Sequence, residues 1–342
     1  MLTIDGSMGE GGGQVLRTAL ALSILTGKAL HLVNIRAGRE KPGLQPQHLQ
    51  SVQAAAAICG GQAEGAELNS REIAFTPGKA QDGRYYFNIG TAGSAALVLQ
   101  TVFLPLAFAG GSSQVTITGG THVPNSPCYD YLERQWLPVM QALGFRARLS
   151  MLHAGFYPRG GGQIVAQIRP AGAIQPLQRV ERGPLVRVRG LSAVANLDAD
   201  IARRQKLQAL RRLEPVCRDS KIETVELDSP GKGTVLLVQA ECEQASATYF
   251  ALGALGKRAE RVADEAVEAL LTFLETGAAV DEHLADQLVL PLAFAGGPSR
   301  YKTSSITRHL LTQAMLVPMF LKVQVQVEGD EDHPGIVQIL PS

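Results

Sequence analysis

Leu104-Pro105-Leu106-Ala107-Phe108-Ala109-Gly110-Gly111 and Leu290-Pro291-Leu292-Ala293-Phe294-Ala295-Gly296-Gly297 are the same octapeptide, met twice in a chain of 342 residues. Identity over such a stretch, outside low-complexity sequence, implies duplicated structural units. A weaker third copy lies at 21–27, where an apolar helix again runs out at glycine, the usual helix stop. The spacing is uneven: Gly110 to Gly296 is more than twice Gly27 to Gly110, so the second interval holds one repeat plus an extra block. Composition locates that block. Between about Gly183 and Gly277 the glycine-rich style yields to charged amphipathic helices, one at 199–213 with Asp198 and Asp200 at its start and Arg211-Arg212 at its end, the other at 258–274.

Periodicity fills in the units. In the first, 47–58 reads as a helix and 73–75 and 85–89 as strands. In the second, a helix at 129–143, with Ser126 as N-cap and Pro127 at its first position, precedes strands 145–149 and 164–168. The third carries a helix from 306 to about 317, capped by Ser305, then strands 322–327 and 336–340. The pattern predicts an α/β fold with sheets covered on one side by helix pairs. Residues 1–183 and 278–342 form the large domain. Residues 184–277 read strand 185–189, helix, strands 224–227 and 235–239, helix, an inserted small α/β domain of its own.

A formal net charge of +1 rules out a blanket polyanion binder, so any nucleic acid is held at a local site. Cys59, Cys128, Cys217 and Cys242 show no CxxC and no metal-ligand spacing with histidine, which fits reduced thiols in a cytoplasmic protein. No secretory signal pattern and no apolar run of spanning length is present, so no membrane partner is expected.

The chemistry-bearing segments are glycine-rich and cationic. Gly9-Glu10-Gly11-Gly12-Gly13-Gln14-Val15-Leu16-Arg17 leads into an apolar helix, and a helix start with so flexible a backbone suits an anion, above all a phosphate. Neither a Walker pattern nor GxGxxG accompanies it. The plain structural alternative is a glycine turn with a surface charge pair. Arg36, Arg39 and Lys41 crowd the Gly/Pro-rich turn at 35–49, a clamp for a polyphosphate or a solvated loop. A second triglycine follows Arg159 at 160–162. Among the histidines, His309 stands off the buried stripe of Ile306, Leu310 and Ala314 beside Thr312 and Gln313; a lone histidine there is structural or catalytic. No Ser/His/Asp, Cys/His or HExxH arrangement supports a hydrolase.

Taken together and in order, GEGGGQVLR at 9–17, IRAGREKPGLQPQHL at 35–49, GTAGSAALVLQT at 90–101, GGTHVPNSP at 119–127, GFYPRGGG at 155–162, HLADQLVLPLAFAG at 283–296 and RHLLT around His309 closely resemble the RNA 3'-terminal phosphate cyclase family. The resemblance implies three repeated units of a four-stranded sheet with two helices, plus a small inserted thioredoxin-like domain. It implies an ATP-dependent enzyme, a ligase or nucleotidyl transferase, that turns the 3'-phosphate end of an RNA into a 2',3'-cyclic phosphate through protein-histidyl-AMP and RNA-adenylate intermediates. On this resemblance His309 is the nucleophile, and Glu10 holds a divalent metal, Mg2+ or Mn2+. Arg17, Arg36, Arg39 and Gln47 contact phosphates, and Gln100, His283, Leu284, Ala285, Asp286 and Gln287 bind the nucleotide. The chain departs from the family at His283, where many members have tyrosine, and at Ala154, where histidine or arginine is usual. RNA and ATP are the expected partners, and a homodimer stays open. The alternative is a non-catalytic cyclase-like ribosome-biogenesis factor, which lacks the histidine found here at 309. Enolpyruvyl transferases share the repeated architecture, but their motifs are missing from this chain.

Overall fold

The computed structural model describes residues 1–341. Three of its sheets repeat one plan. The first unit runs strand Leu2–Asp5, helix Gly13–Thr26, strand Leu30–Val33, helix Pro46–Cys59, strands Gln62–Glu64 and Ile73–Thr76. Its first two strands are parallel, which requires a crossover helix, and the last strand pairs antiparallel between its neighbours Leu30–Val33 and Gln62–Glu64. The second unit repeats this order with strands Arg84–Asn88, Ser113–Gly119, Arg146–His153 and Gly162–Arg169 around helix Ala95–Ala107 and a helical segment beginning at Tyr129. The third unit opens with the short strand Gln178–Arg179, which pairs parallel to Ser299–Thr303. Helices Glu282–Leu292 and Arg308–Phe320 and strands Val323–Glu328 and Gly335–Pro341 complete it.

Between Gln178–Arg179 and Glu282–Leu292 lies the fourth sheet. Leu185–Ala195 pairs parallel with Ser220–Glu226 and antiparallel with Gly233–Cys242, beyond which Ser246–Leu252 forms the far edge. Helices Ala199–Leu213 and Ala259–Thr276 pack on it, giving the βαβββα order of a thioredoxin-like fold. Val188, Leu236, Val238, Val262 and Leu270 form its own core. Each fully buried aliphatic side chain there contributes roughly 1.5–3 kcal/mol relative to exposure.

Helix Gly13–Thr26 positions the site, because it packs against helices Ala95–Ala107 and Arg308–Phe320 of the other two units. Leu16, Leu20, Val98, Val102, Leu316 and Val317 belong to the one core that results. The octapeptide copies end their helices on either side of it and meet: the rings of Phe108 and Phe294 lie 5.0 Å apart. The four cysteines are unpaired, three of them buried. Among the described residues no helix is long and apolar enough to cross a membrane.

The structure corrects three local readings. The helix of the third unit begins at Arg308, capped by Thr307, whose hydroxyl accepts from the Leu310 N–H at 3.1 Å. Ser305 cannot cap it, because Ile306 is drawn into a bridge with Glu331 and its N–H donates to the His333 carbonyl. The segment at 129 is capped at Cys128 rather than Ser126, whose hydroxyl donates to the Val123 carbonyl, and a π turn at Leu132–Trp136 interrupts it. The strand expected at 185–189 continues to Ala195, since Leu191, Ala193 and Val194 are also buried.

Candidate active site

The glycine-rich loop at 9–13 is shaped by contacts from two units. Gly9 and Gly11 adopt positive φ, of 58° and 64°. A Cβ at Gly9 would collide with Thr312 of the third unit, and one at Gly12 would collide with the carboxylate of Glu10. The Glu10 N–H donates to the Thr312 hydroxyl at 3.0 Å, tying the loop to helix Arg308–Phe320. Helix Gly13–Thr26 starts without a side-chain cap, so its first N–H groups remain available to an anion; in helix Pro46–Cys59, Pro46 has no N–H and the His48 N–H donates to the Gln45 carbonyl.

His309 stands in the first turn of its helix, its side chain 50% exposed. Its Nδ1 lies 3.0 Å from the Oε1 of Gln14 and 3.8 Å from the Oε2 of Glu10. Gln14, buried at the start of helix Gly13–Thr26, donates through Nε2 to the Oδ2 of Asp286 at 2.6 Å. A carboxylate accepts and an amide NH2 donates, so Asp286 orients the amide and turns its carbonyl toward the imidazole. Nδ1 then carries the proton, and Nε2 keeps its lone pair. Burial, with Arg17, Arg39 and His283 nearby, lowers the His309 pKa to about 4, which keeps the ring neutral near pH 7. Burial raises Asp286 to about 7 against the pull of His283 and Arg17.

The other residues singled out in the sequence divide. Glu10, 12% exposed, is ion-paired with Arg39. Arg17 is largely buried, and burial lowers its pKa to about 10, leaving it cationic. Arg36 is committed to its own loop, its guanidinium donating to the carbonyls of Lys41 and Gly43. Gln47 accepts from the Ser94 N–H at 2.8 Å, and Gln100 donates to Gln287 at 2.7 Å. His283 is exposed, 3.6 Å from Glu282. The side chains of Leu284 and Ala285 are buried in the core, while Asp286 and Gln287 line a cavity.

Sequence reasoning missed Gln14 and His48. Gln14 stands three residues before Arg17 at a helix start, a spacing that places both on one face and was legible. His48 could not be found that way: its ring closes on Gly13 from another helix, and burial with Arg17 and Arg36 lowers its pKa to about 3. A cavity of about 80 Å³ lies among Gln14, Arg17, Gln100, Asp286, Gln287 and Gln313, joining these groups across all three units. A larger cavity, about 700 Å³, opens between helix Ala259–Thr276 and the third unit; five carboxylates, Asp264, Glu265, Glu268, Glu282 and Asp332, line it against two arginines, Arg212 and Arg261, a net negative lining that disfavours a polyphosphate.

Comparison with known proteins gives one answer. The family model described as RNA 3'-terminal phosphate cyclase matches residues 8–327. Proteins of that name are similar along their whole length. One from Nostoc punctiforme is 42% identical, covering 97% of each chain. One from Methylococcus capsulatus is 44% identical over 99% of this chain and 96% of its own. One from Methanopyrus kandleri is 42% identical over 100% and 99%.

Proposed function

The chain belongs to the RNA 3'-terminal phosphate cyclase family, and from that premise we propose that it closes RNA 3'-phosphate ends to 2',3'-cyclic phosphates at the expense of ATP, with His309 as its nucleophile. In the first step the Nε2 lone pair of His309 attacks the α-phosphorus of ATP; a P–N bond forms, the bond to the bridging oxygen breaks, and pyrophosphate leaves. A neutral imidazole suits this step, and the phosphoramidate is labile enough to pass AMP on. In the second step an oxygen of the RNA 3'-phosphate displaces the histidine. In the third the neighbouring 2'-OH attacks that phosphorus and expels AMP.

The observation that carries this reading is the Asp286–Gln14–His309 chain, which holds the ring by Nδ1 and leaves Nε2 to react. Arg17 and Arg39 bring positive charge to where a triphosphate would lie, and the uncapped start of helix Gly13–Thr26 adds N–H donors. Arg36 contributes charge while bracing the loop. Glu10 fits a magnesium-type ion, which takes one or two carboxylates and completes its shell with substrate phosphates. Such an ion, when bound, offsets charge on the triphosphate. On this reading residues 184–277 form a separate domain, since no group in the chain of contacts at His309 comes from them. The test is incubation with α-labelled ATP, a divalent metal and a 3'-phosphorylated oligonucleotide. Label on the protein, lost with acid and with His309→Ala, together with a cyclic end on the RNA, supports the reading. Label that persists in His309→Ala at the wild-type rate overturns the assignment.

A further inference from the structure

The second unit turns to solvent a sheet face unlike those of its two counterparts, although all three share one plan. On strands Arg84–Asn88, Ser113–Gly119, Gly162–Arg169 and Arg146–His153, the residues Phe87, Val115, Ile117, Ile164, Ala166 and Ala147 are buried toward the helices. Alternation places Arg84, Tyr86, Arg146, Arg148 and Arg169 on the opposite face, and all five are exposed, Tyr86 at 74%. Register aligns Arg84, Gln114, Gln167 and Arg148 in one row across the sheet. Arg146 sits directly opposite Arg169, a like-charge pairing that weakens a sheet.

None of the four strands contains Asp or Glu. Among the described residues no ion pair includes any of the four arginines. The other units supply the control. Strands of the first sheet hold Asp5 and Glu64 and no Lys or Arg. The third sheet is less cationic on its open face: Lys302 is spent on the Thr276 carbonyl, Arg179 is half-buried, and Glu328 shares the sheet with the remaining Arg300. In a chain of net charge +1, an uncompensated cationic face on one of three equivalent sheets marks a polyanion's place.

The end of the face far from its arginines runs toward Gln47, one of the expected phosphate contacts. Strand Arg84–Asn88 leads into residues 90–94, where Gln47 holds the Ser94 N–H, and strand Gly162–Arg169 emerges from the glycine-rich loop at 155–162. At about 3.3 Å per residue, Arg84 lies roughly 13 Å back from Asn88, a span of a few nucleotides. We propose that this face carries the single-stranded body of the RNA upstream of its reacting 3' end, the arginines meeting phosphates and Tyr86 stacking on a base. The inference rests on the reading of RNA as substrate given above.

The experiment compares a 3'-phosphorylated oligonucleotide of roughly twelve residues, long enough to cross such a face, with a 3'-phosphorylated dinucleotide. Binding is read by fluorescence anisotropy and cyclisation by end-group assay. The triple variant Arg84→Glu, Arg148→Glu, Arg169→Glu should weaken binding of the longer RNA at least tenfold. It should also lower the slope of log affinity against log salt by about 2, since each lost single-strand contact removes about 0.7. The dinucleotide and protein-AMP labelling should be unchanged, and labelling also reports that the variant is folded. Tyr86→Ala should weaken the longer RNA alone. Unchanged affinity for the longer RNA overturns the proposal and leaves the face to an acidic protein partner; equal loss for both RNAs overturns it as well. If the wild type cyclises neither, the reading of function falls, while the anisotropy comparison still decides the face.

Discussion

The Oε1 of Gln14 lies 3.0 Å from the Nδ1 of His309, and the opposite end of the same amide is held by Asp286 at 2.6 Å. The contact joins the first unit to the third and selects which ring nitrogen keeps a lone pair. Removing the amide while keeping its bulk, as in Gln14→Leu, frees the ring to take either tautomer. We expect protein-AMP labelling to slow by roughly 10- to 100-fold, the usual cost of losing an orienting partner behind a reactive ligand. An unchanged labelling rate would show that ring orientation is set elsewhere.

His309 is half exposed in the first turn of its helix, so His309→Ala should fold normally and form no adduct. It should still cyclise an RNA already carrying a 3'-terminal diphospho-adenosine cap, because the nucleophile of that step is the RNA's own 2'-OH. End-group analysis of synthetic adenylylated RNA decides the point. Closure no faster than in buffer would mean that the histidine also serves the last step, as an acid for the departing AMP.

Two groups set the expected pH dependence. With His309 lowered to about 4, the neutral ring persists well below the ordinary histidine range, so labelling should not decline on its account until near pH 4. Asp286, raised to about 7, ionises as pH climbs through neutrality and then can only accept from Gln14. A rise of a few-fold in labelling rate between about pH 6 and 8 should follow, and Asp286→Asn should flatten it. Single-turnover labelling across pH measures both; a decline through an ordinary histidine pKa, about 6.5, that persists in Asp286→Asn would contradict the first.

Glu10→Ala removes the carboxylate beside His309 and Arg39. Loss of a charge-stabilising group aimed at the triphosphate should cost the labelling step at least ~10²-fold. Titration with Mg2+ and Mn2+ reports its role: unchanged metal dependence in the variant would remove Glu10 from the metal shell.

Replacing residues 184–277 by a short Gly/Ser linker should leave a protein that still binds ATP. That block has its own core, and the strand before it, Gln178–Arg179, pairs independently with Ser299–Thr303. Its contacts with the second unit are mixed: Gln135 donates to the Ser246 carbonyl and Gln239 to that of Arg134, while Phe156 packs on Ala195 and Tyr131 on Phe250, so some loss of stability is expected with nucleotide binding retained. Insolubility, or loss of nucleotide binding by calorimetry, would show that the block completes the core of the rest.

The sequence by itself determined the repeated plan, the extra block and the family. Helix periodicity, glycine stops and strand alternation are properties of short stretches, and the ordered motifs from Glu10 to His309 needed no coordinates. Only the tertiary structure decided which of those residues act together. Gln14 and His309 stand 295 positions apart, and nothing local in either segment encodes their contact. It arises because helices Gly13–Thr26 and Arg308–Phe320 pack side by side, which also holds the Glu10 loop on Thr312. The same packing withdrew Leu284 and Ala285 into the core and exposed Asp286 and Gln287 to the cavity. Likewise the cap of the last helix moved from Ser305 to Thr307, because Ile306 bonds to the turn at Glu331–His333 before the helix can start. Local pattern specifies elements; long-range burial and hydrogen bonding choose among the faces and ends that the pattern leaves open.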